Sequence, residues 1–291
     1  MLIDVHMHVW EQQHHSDKWG HGVERTVGIG KNEYYHVEPS RFLSEVKEAS
    51  LDKAVIHAFV MKVKGSRVPD DYVFENYTKK YPDKLIGFSG IDPITDEGRF
   101  NRKTIEQLEK AVKDYGFKGM KLMPPFGHYY PNENKIYPLY EKAAELDIPV
   151  MFHQGSSRHT EALLKYARPY LLEDVAYDFP ELKIIIAHTG YPWSHEVFAL
   201  MRKQPHVYTD ISALFKRPTI LSQNLMLAKE YGVTDRVLFG TDYPVDRPVK
   251  GIEWCRTDLN RMADKLGYPT WSKEEIDGLL GENSRRLLGL K

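Results

Sequence analysis

Residues 3–9 read IDVHMHV, a short run in which apolar side chains alternate with Asp4, His6 and His8. Seven further apolar runs follow it along the chain. Most of them are dense in Val, Ile, Leu and Phe, as is typical of parallel strands buried on both faces; they span residues 53–59, 85–91, 117–123, 150–155, 183–188, 207–211 and 236–241. Between the runs lie charged segments with helical spacing, at residues 40–51, 102–115, 137–146, 161–175, 195–203 and 219–231.

The predicted strands recur at a nearly constant interval. Phe88 and Lys121 are 33 residues apart, Lys121 and His153 are 32 apart, and His153 and His188 are 35 apart. A strand–helix unit of a parallel sheet needs about 30 residues. Eight such units predict an α/β protein with a (β/α)₈ TIM barrel, which typically takes ~250 residues. An open doubly wound sheet is the alternative, but eight evenly spaced units favour closure.

The C-terminal part of the chain extends this pattern. Residues 254–267 are predicted to form the last barrel helix, and residues 273–288 to form one added helix. Because no linker or low-complexity stretch interrupts the chain, we predict a single domain over residues 1–291.

The first crossover is longer than the others, since 51 residues separate His6 from His57. The excess lies in residues 10–38, which are rich in Trp, His, Tyr and Gly and lack periodicity. Loops that follow the strands of such a barrel build its active-site face. We therefore predict a lid over that face, with Trp10 in contact with the substrate. A packing loop on the barrel surface is the alternative.

Composition excludes several classes of protein. The chain has 40 Lys and Arg against 41 Asp and Glu, so no net field attracts nucleic acid or a membrane surface. Its single Cys cannot form an internal disulfide. The first apolar run is too short and too polar for a signal or membrane segment. We therefore expect a cytoplasmic protein without nucleic-acid or membrane partners.

Histidines and an aspartate stand at the carboxyl ends of four predicted strands. His6 and His8 end the first strand, and side chains two residues apart on a strand point to the same face. His153, His188 and Asp242 end the fifth, sixth and eighth strands. In a closed barrel these ends surround one axial cavity. The residues therefore predict a site for Zn²⁺ or a similar divalent ion, with one coordination position left open.

The motifs His6-Met7-His8 and Gly240-Thr241-Asp242-Tyr243-Pro244, together with His153 and His188, resemble the signature of the amidohydrolase superfamily. More narrowly they resemble its amidohydrolase-related branch, which includes aminocarboxymuconate-semialdehyde decarboxylase and related lactonases and hydratases. The resemblance covers nearly the whole chain and implies a distorted barrel that binds one metal ion. It implies His6, His8, His153 and Asp242 as the ligands, with His188 as a catalytic or auxiliary residue.

Lys121, in the predicted fourth strand, leaves alternatives open. Some members of the superfamily carry a carboxylated lysine near this position that bridges two metals, and His153 and His188 would then bind the second ion. An unmodified Lys121 would instead attract a substrate carboxylate, unless it points outward between helices. We favour one ion and an unmodified lysine, because the branch resembled usually holds one metal. Zinc is expected, with manganese as the alternative.

The predicted reaction is hydrolysis of a small carboxylated substrate such as a lactone, an amide or a ring-cleavage product. Zinc lowers the pKa of bound water to about 7. Asp242 would accept a proton from that water, and His188 would polarise the carbonyl group or stabilise the oxyanion. Because cationic groups favour anionic substrates, we predict substrate contacts from a further set of residues: Lys121, Arg158, His57 and Trp10. Barrels of the resembled branch are often homodimers.

Non-oxidative decarboxylation of an aromatic or unsaturated acid is the alternative, because the resembled branch also performs it. Asp242 or His188 would then deliver a proton to carbon. Residues 189–193 read TGYPW, which differs from the Gly-Glu segment associated with the decarboxylases and favours hydrolysis. A metal-binding protein without catalytic activity is a third possibility, but no member of the ligand set is missing.

Overall fold

A computed structural model describes residues 1–16 and 36–291 of the chain. Its strands are β1 (Ile3–Met7), β2 (Lys53–His57), β3 (Phe59–Met61), β4 (Ser66–Val68), β5 (Leu85–Ile91), β6 (Met120–Leu122), β7 (Val150–Phe152), β8 (Ile184–Ile186), β9 (Val207–Asp210) and β10 (Val237–Leu238). All of these except β3 and β4 form one parallel sheet in the order β1-β2-β5-β6-β7-β8-β9-β10. The prediction of parallel strands that alternate with helices is therefore confirmed.

The two ends of this sheet meet. The amide of Val5 donates to the carbonyl of Phe239 at 3.0 Å, and the amide of Asp242 donates to the carbonyl of His6 at 2.7 Å. A parallel bridge between Met7 and Tyr243 extends the contact. These bonds close the sheet into the predicted (β/α)₈ TIM barrel and exclude the open alternative. The barrel is distorted, since β10 has only two residues whereas β5 has seven.

The α-helices of the described residues surround this barrel. They are α1 (Pro39–Glu48), α2 (Asp70–Val73), α3 (Lys103–Lys113), α4 (Pro124–Gly127), α5 (Tyr137–Glu145), α6 (Leu172–Asp178), α7 (Ser194–Lys203), α8 (Pro218–Glu230), α9 (Pro248–Glu253), α10 (Leu259–Leu266), α11 (Lys273–Asp277) and α12 (Asn283–Leu287). Single π-helical turns, Phe74–Thr78, Trp254–Asp258 and Gly278–Glu282, follow α2, α9 and α11. The last of these turns interrupts the predicted C-terminal helix at residues 273–288.

The predicted helix at residues 161–175 is wrong over its first half. Residues there form two short 3₁₀ turns, Leu164–Tyr166 and Pro169–Leu171, and α6 begins only at Leu172. Proline has no amide hydrogen to donate to a helix. In addition, the buried Gln154 side chain donates to the carbonyls of Tyr166 and Arg168, at 3.1 and 3.2 Å. These carbonyls are thereby held in a loop conformation beside the end of β7.

An antiparallel hairpin, β3–β4, follows β2 and was not predicted from the sequence. It pairs Phe59 with Val68 and extends the chain over the carboxyl ends of the barrel strands. Gly90 of β5 lies directly beneath it, because a Cβ atom on Gly90 would approach the Phe59 nitrogen to 2.2 Å. A larger residue at position 90 would therefore push the hairpin away from the barrel.

Side chains inside the barrel form one apolar layer at its amino-terminal end. The layer includes Leu287 and Leu288 from the C-terminal segment, which pack below the strands and confirm an added C-terminal helix. Its other buried members are Ile3, Val5, Val55, Ile86, Phe88, Met151, Ile185, Ala187 and Leu238. These side chains fill the interior of the barrel at this end.

The predicted lid at residues 10–38 lies mostly outside the described residues, which omit 17–35. Its two flanks are joined by a hydrogen bond from the Val37 amide to the Trp10 carbonyl, at 3.0 Å. Within residues 1–16 and 36–291, no helix has both the length and the apolar character needed to cross a membrane.

The seam between β1 and β10 supplies a test of the fold. Buried Asp4 accepts hydrogen bonds from the Thr241 hydroxyl at 2.6 Å, the Thr241 amide at 3.2 Å and the His6 amide at 3.0 Å. Thr241→Val keeps the side-chain shape but leaves one buried carboxylate oxygen without its donor. We expect a loss of about 1–3 kcal/mol in the free energy of unfolding, measured by urea denaturation.

Thr257→Val is the matched control, because its hydroxyl donates to the Glu253 carbonyl at 2.8 Å on an exposed helical turn. This variant is expected to change stability by no more than about 0.5 kcal/mol. Equal losses in the two variants would contradict the role assigned to the seam.

Candidate functional site

Two adjoining cavities lie at the carboxyl ends of the strands and share His153, Ser157, Arg158, Asp242 and Val245 in their walls. The inner cavity, of about 70 Å³, is also lined by His8, Trp10, Phe59, Met61, Lys121, Met123, Phe126 and His159. The outer cavity, of about 310 Å³, is also lined by Ser156, His188, Tyr191, Ala213, Leu214, Lys216, Arg217 and Asp246. Active sites of TIM barrels lie at this end.

The end of β1 presents His6 and His8 to one carboxylate of the β10 loop. Nε2 of His8 lies 3.1 Å from Oδ1 of Asp242, and Nε2 of His6 lies 3.5 Å from the same oxygen. The two ring centroids are 5.1 Å apart. The two imidazoles therefore project together, as the spacing of two residues on a strand predicts.

The ends of β7 and β8 bring two more histidines to this group. Nδ1 of His153 lies 3.3 Å from Nε2 of His188. The rings of His188 and His6 are stacked, with centroids 4.9 Å apart and an angle of 21° between their planes. Side chains from four strand ends, more than 230 positions apart in sequence at the extremes, thus meet at one place.

The donor set fits a divalent metal ion. Among the described residues, His6, His188 and Asp242 each offer a ligand atom, and these atoms all lie within 4.8 Å of one another. Nδ1 of His8 and Nε2 of His153 are buried and find no hydrogen-bond partner within residues 1–16 and 36–291. Imidazole nitrogens combined with a carboxylate oxygen are ligands that suit zinc and similar ions.

The protonation states of these groups also suit metal binding. Burial lowers the pKa of His6, and the neighbouring Lys121 charge lowers it further. Burial likewise lowers the pKa values of His153 and His188. Burial opposes ionisation of Asp242, but the hydrogen bond from His8 and the nearby histidines outweigh it and lower the carboxyl pKa. Neutral imidazoles and an ionised carboxylate are the forms that bind metals.

Asp210, at the end of β9, contacts this group and was not among the site residues predicted from the sequence. Its Oδ2 atom lies 2.9 Å from Nδ1 of His6, and its Oδ1 atom accepts the amides of His188 at 3.0 Å and Ser212 at 2.9 Å. The Ser212 hydroxyl also contacts Asp210 and lies 2.7 Å from Nδ1 of His188. The sequence signal that could have identified Asp210 is its place at the end of the seventh predicted strand, residues 207–211.

The backbone at the site is strained. His188, Thr189, Ala213 and Asp242 all adopt the left-handed conformation, with φ between 51° and 59°. For residues with a Cβ atom this conformation costs roughly 1–2 kcal/mol each. Local hydrogen bonds hold these residues in place: the Asn224 side chain donates to the Thr189 hydroxyl at 2.7 Å, and the Asp242 amide donates to the His6 carbonyl. Clustering of such strain is typical of functional sites.

Lys121 lies inside the barrel, so the alternative in which it points outward between helices is wrong. Its Nζ atom lies 3.0 Å from Nε2 of His6 and 3.2 Å from Sδ of Met151, and the side chain is fully buried. Burial lowers the pKa of its ammonium group to about 8, against the opposing attraction of Asp210 and Asp242. The lysine therefore borders both the inner cavity and the histidine group.

The other predicted substrate contacts occupy different positions. Arg158 lines both cavities, and Trp10 lines the inner one with its ring centroid 6.0 Å from that of His8. His57 is fully buried behind them: its Nε2 donates to the Val5 carbonyl at 2.8 Å, and its ring packs against His6 at 4.9 Å. His57 thus supports the site from behind, and a substrate contact by it stays a prediction.

Comparisons with known proteins extend these observations. A family model described as Amidohydrolase matches residues 3–290. The 2-keto-4-carboxy-3-hexenedioate hydratase of a Sphingobium species is 35% identical over 211 residues, which cover 63% of this chain and 60% of that protein. The gamma-resorcylate decarboxylase of a Rhizobium species is 21% identical over 249 residues, which cover 69% of this chain and 72% of that protein.

Solved structures share the fold. A TIM-barrel protein of Bordetella bronchiseptica superposes with a TM-score of 0.75 at 21% identity, covering 99% of this chain and 98% of that one. A dihydroxybenzoic acid decarboxylase of a Polaromonas species, solved with bound manganese and 2-nitroresorcinol, superposes with a TM-score of 0.64 at 15% identity. That match covers 99% of this chain and 96% of the other.

Proposed function

The chain belongs to the amidohydrolase family, and we propose that this enzyme is a metal-dependent hydrolase of a small carboxylated molecule such as a lactone, an amide or a ring-cleavage product. One observation carries the proposal: an ionised carboxylate, Asp242, lies beside the histidines at the mouth of a cavity whose walls also hold cationic side chains. The match to the Sphingobium hydratase supports it, because hydration and hydrolysis both need an activated water molecule.

Members of the family bind divalent metal ions. We assign the ligand positions here to His6, His8, His153 and Asp242, with His188 close enough to join them. A single zinc ion is the expected occupant, and manganese is the alternative. When bound, such an ion supplies Lewis-acid chemistry and lowers the pKa of coordinated water to about 7.

Two side chains of this chain would handle the proton and the substrate oxygen. The lowered pKa of Asp242 keeps its carboxylate ionised. Its role as proton acceptor comes from its position beside the histidines, from which it can pass the proton to the leaving group. His188 lines the outer cavity, and once Nε2 has taken up a proton its ring can donate to a substrate carbonyl or to the oxyanion that forms from it. Both roles need a substrate whose reactive carbon sits between the two residues.

The cavity walls favour an anionic substrate. Arg158, Lys216 and Arg217 line the outer cavity from two different loops, and the Lys121 ammonium borders the inner one. Guanidinium groups bind carboxylates with two parallel hydrogen bonds. The aromatic rings of Trp10 and Tyr191 complete an environment that suits a small organic acid rather than a polymer.

Non-oxidative decarboxylation of an aromatic or unsaturated acid is the second candidate. The gamma-resorcylate decarboxylase relatives favour it, and the same Asp242 and His188 would then deliver a proton to carbon. The segment TGYPW at residues 189–193 contributes Tyr191 to the wall of the outer cavity and offers no carboxylate to the site. Hydrolysis therefore stands first.

The deciding experiment starts from protein stripped by mild chelation and reconstituted with zinc or manganese. The metal content per chain is measured by elemental analysis, and the protein is incubated with carboxylated lactones and with hydroxybenzoates. We expect one equivalent of metal, acid release from a lactone, and loss of activity on chelation. Release of CO₂ without acid would establish the decarboxylase instead, and failure to retain any divalent ion would refute both.

Asp242→Asn and His188→Asn test the assigned roles. Each is expected to lower kcat by about 10²-fold or more, since positioned acid–base groups contribute at least that much. Near-UV circular dichroism should stay unchanged. Asp147→Asn is the control, because this exposed carboxylate pairs with Lys183 at the opposite end of the barrel. Wild-type rates in both site variants would overturn the assignment.

Arg158→Gln and Arg247→Gln form a matched pair that tests recognition of an anion. Arg158 lines the cavities, whereas Nε of Arg247 donates to both carboxylate oxygens of Glu45, at 2.9 and 3.0 Å. Hydrogen bonds to charged groups contribute about 1.5–3 kcal/mol, so Arg158→Gln should raise KM about tenfold or more. Arg247→Gln should lower thermal stability and leave KM unchanged. Equal KM values would exclude Arg158 as a substrate contact.

A further inference from the structure

We propose that Asp210 and Ser212 are positioning residues that hold His6, His188 and His153 in one tautomer, with the proton on Nδ1 and the lone pair on Nε2. This inference rests on the proposed function only insofar as those imidazoles bind a metal. The hydrogen-bond pattern that carries it is present in the described residues without any metal. It starts from one buried carboxylate at the end of β9 and extends to the ends of β1, β7 and β8.

The first step concerns the hydrogen bonds that Asp210 accepts. This residue is fully buried, and its Oδ1 atom accepts hydrogen bonds from the His188 amide, the Ser212 amide and the Ser212 hydroxyl. These three donors leave Oδ1 to act only as an acceptor. Its other oxygen, Oδ2, lies 2.9 Å from Nδ1 of His6. The Lys121 ammonium group lies 3.0 Å from Nε2 of His6 and can only donate, so Nε2 carries the lone pair and Nδ1 carries the proton that faces Oδ2.

The second step passes through Ser212. A hydroxyl group has one proton, and Ser212 donates it to Asp210. The Ser212 oxygen must therefore accept from Nδ1 of His188, which lies 2.7 Å away. Nε2 of His188 then carries a lone pair and accepts from Nδ1 of His153 at 3.3 Å. This leaves Nε2 of His153 unprotonated, and that atom is buried without a hydrogen-bond partner among residues 1–16 and 36–291.

The same carboxylate also supports the backbone that carries one of these rings. His188 and Thr189 are in the left-handed conformation, with φ of 59° and 51°. The His188 amide donates to Asp210 at 3.0 Å and is thereby held in that conformation. Asp210 thus fixes the backbone from which the His188 side chain projects, and through Ser212 it determines which nitrogen of the ring is protonated. Parallel stacking of the His6 and His188 rings follows, because both Nδ1 atoms are bound to the Asp210–Ser212 pair.

A comparison within the site separates this role from ordinary structural support. Asp4 is another fully buried carboxylate in the barrel, but its partners are the amides of His6 and Thr241 and the Thr241 hydroxyl. Asp4 therefore stabilises the barrel seam without contacting an imidazole through any of these bonds. Asp210 stabilises imidazole tautomers directly, so its replacement should change properties that a purely structural residue does not control.

The first experiment reads the tautomers in metal-free, ¹⁵N-histidine-labelled protein by long-range nitrogen–proton NMR correlation. In the wild type we expect Nδ1–H on His6, His188 and His153. Ser212→Ala should release His188 and His153 into mixed tautomers and leave His6 unchanged, whereas Asp210→Asn should affect all three. Asp70→Asn is the matched control, because this buried carboxylate accepts from Ser89, Gly90 and Gln107 on another part of the barrel.

An Nε2–H tautomer on His6 or His188 in the wild type overturns the inference, as does an unchanged pattern in both variants. The second experiment measures zinc affinity by chelator competition. Loss of a carboxylate that orients a metal-binding histidine typically lowers metal affinity 10–100-fold. We expect losses of that size in Asp210→Asn and smaller ones in Ser212→Ala, with Asp70→Asn unchanged.

The two measurements distinguish the possible failures. If the wild type binds no metal, the proposed function fails while the NMR spectra still decide the tautomers. If the wild type binds zinc and Asp210→Asn binds it equally well, the positioning role is refuted and the proposed function stands. If Asp210→Asn does not fold, Ser212→Ala decides, because removal of one hydroxyl should change the His188 tautomer in a folded protein.

Discussion

The hydrogen bond from the Asp242 amide to the His6 carbonyl, 2.7 Å long, joins the last strand end of the barrel to the first. It lies in the seam that closes the barrel, and its two residues are also members of the candidate metal site. Closure of the sheet and assembly of the site are therefore one event. A sheet left open between β1 and β10 would keep an apolar core but would separate Asp242 from His6 and His8, and no donor set would exist.

Around this seam the protein buries an unusual number of ionisable groups. Asp4, Lys121 and Asp210 are fully buried within the barrel, where an unpaired charge is costly. Each has a specific partner: Thr241 for Asp4, His6 for Lys121, and the Ser212 and His188 amides for Asp210. The same low-dielectric surroundings strengthen these hydrogen bonds. Side chains held in this way have few alternative conformations, so they lose little conformational entropy when they bind. A site that must present several ligands at once requires this.

Hydrolysis, hydration and decarboxylation place similar demands on such a site. For the carboxylated substrates proposed, each needs an anionic molecule held in a cavity, a cation to withdraw electron density, and a group that moves one proton. Under the proposed function, the histidine and aspartate cluster of this barrel would meet the second and third demands by holding a metal ion and moving the proton. The arginine and lysine side chains of the outer cavity would meet the first. Which of these reactions a barrel catalyses therefore depends on its loops. The segments that carry Arg158 and Arg217 are such loops, because no strand hydrogen bonds fix their backbone.

The sequence by itself determined the barrel and predicted which side chains meet at the carboxyl ends of its strands. Strand periodicity repeats every 32–35 residues, and side chains at strand ends must converge once a parallel sheet closes. Local patterns of this kind can be read without coordinates. His6, His8, His153, His188 and Asp242 were found in this way, and the structure brings them together.

Only the tertiary structure decided the rest, because the relevant contacts join residues far apart in the chain. The position of the β3–β4 hairpin depends on the absence of a side chain at Gly90 beneath it. The predicted helix at residues 161–175 does not form over its first half, where Gln154 binds a backbone carbonyl. Packing across the barrel places Lys121 inside it and buries His57 behind the site. The same packing brings Asp210 into contact with His6, which is 204 positions away in the sequence. No periodicity encodes which nitrogen of an imidazole faces a carboxylate, since that is set by the three-dimensional hydrogen-bond network alone.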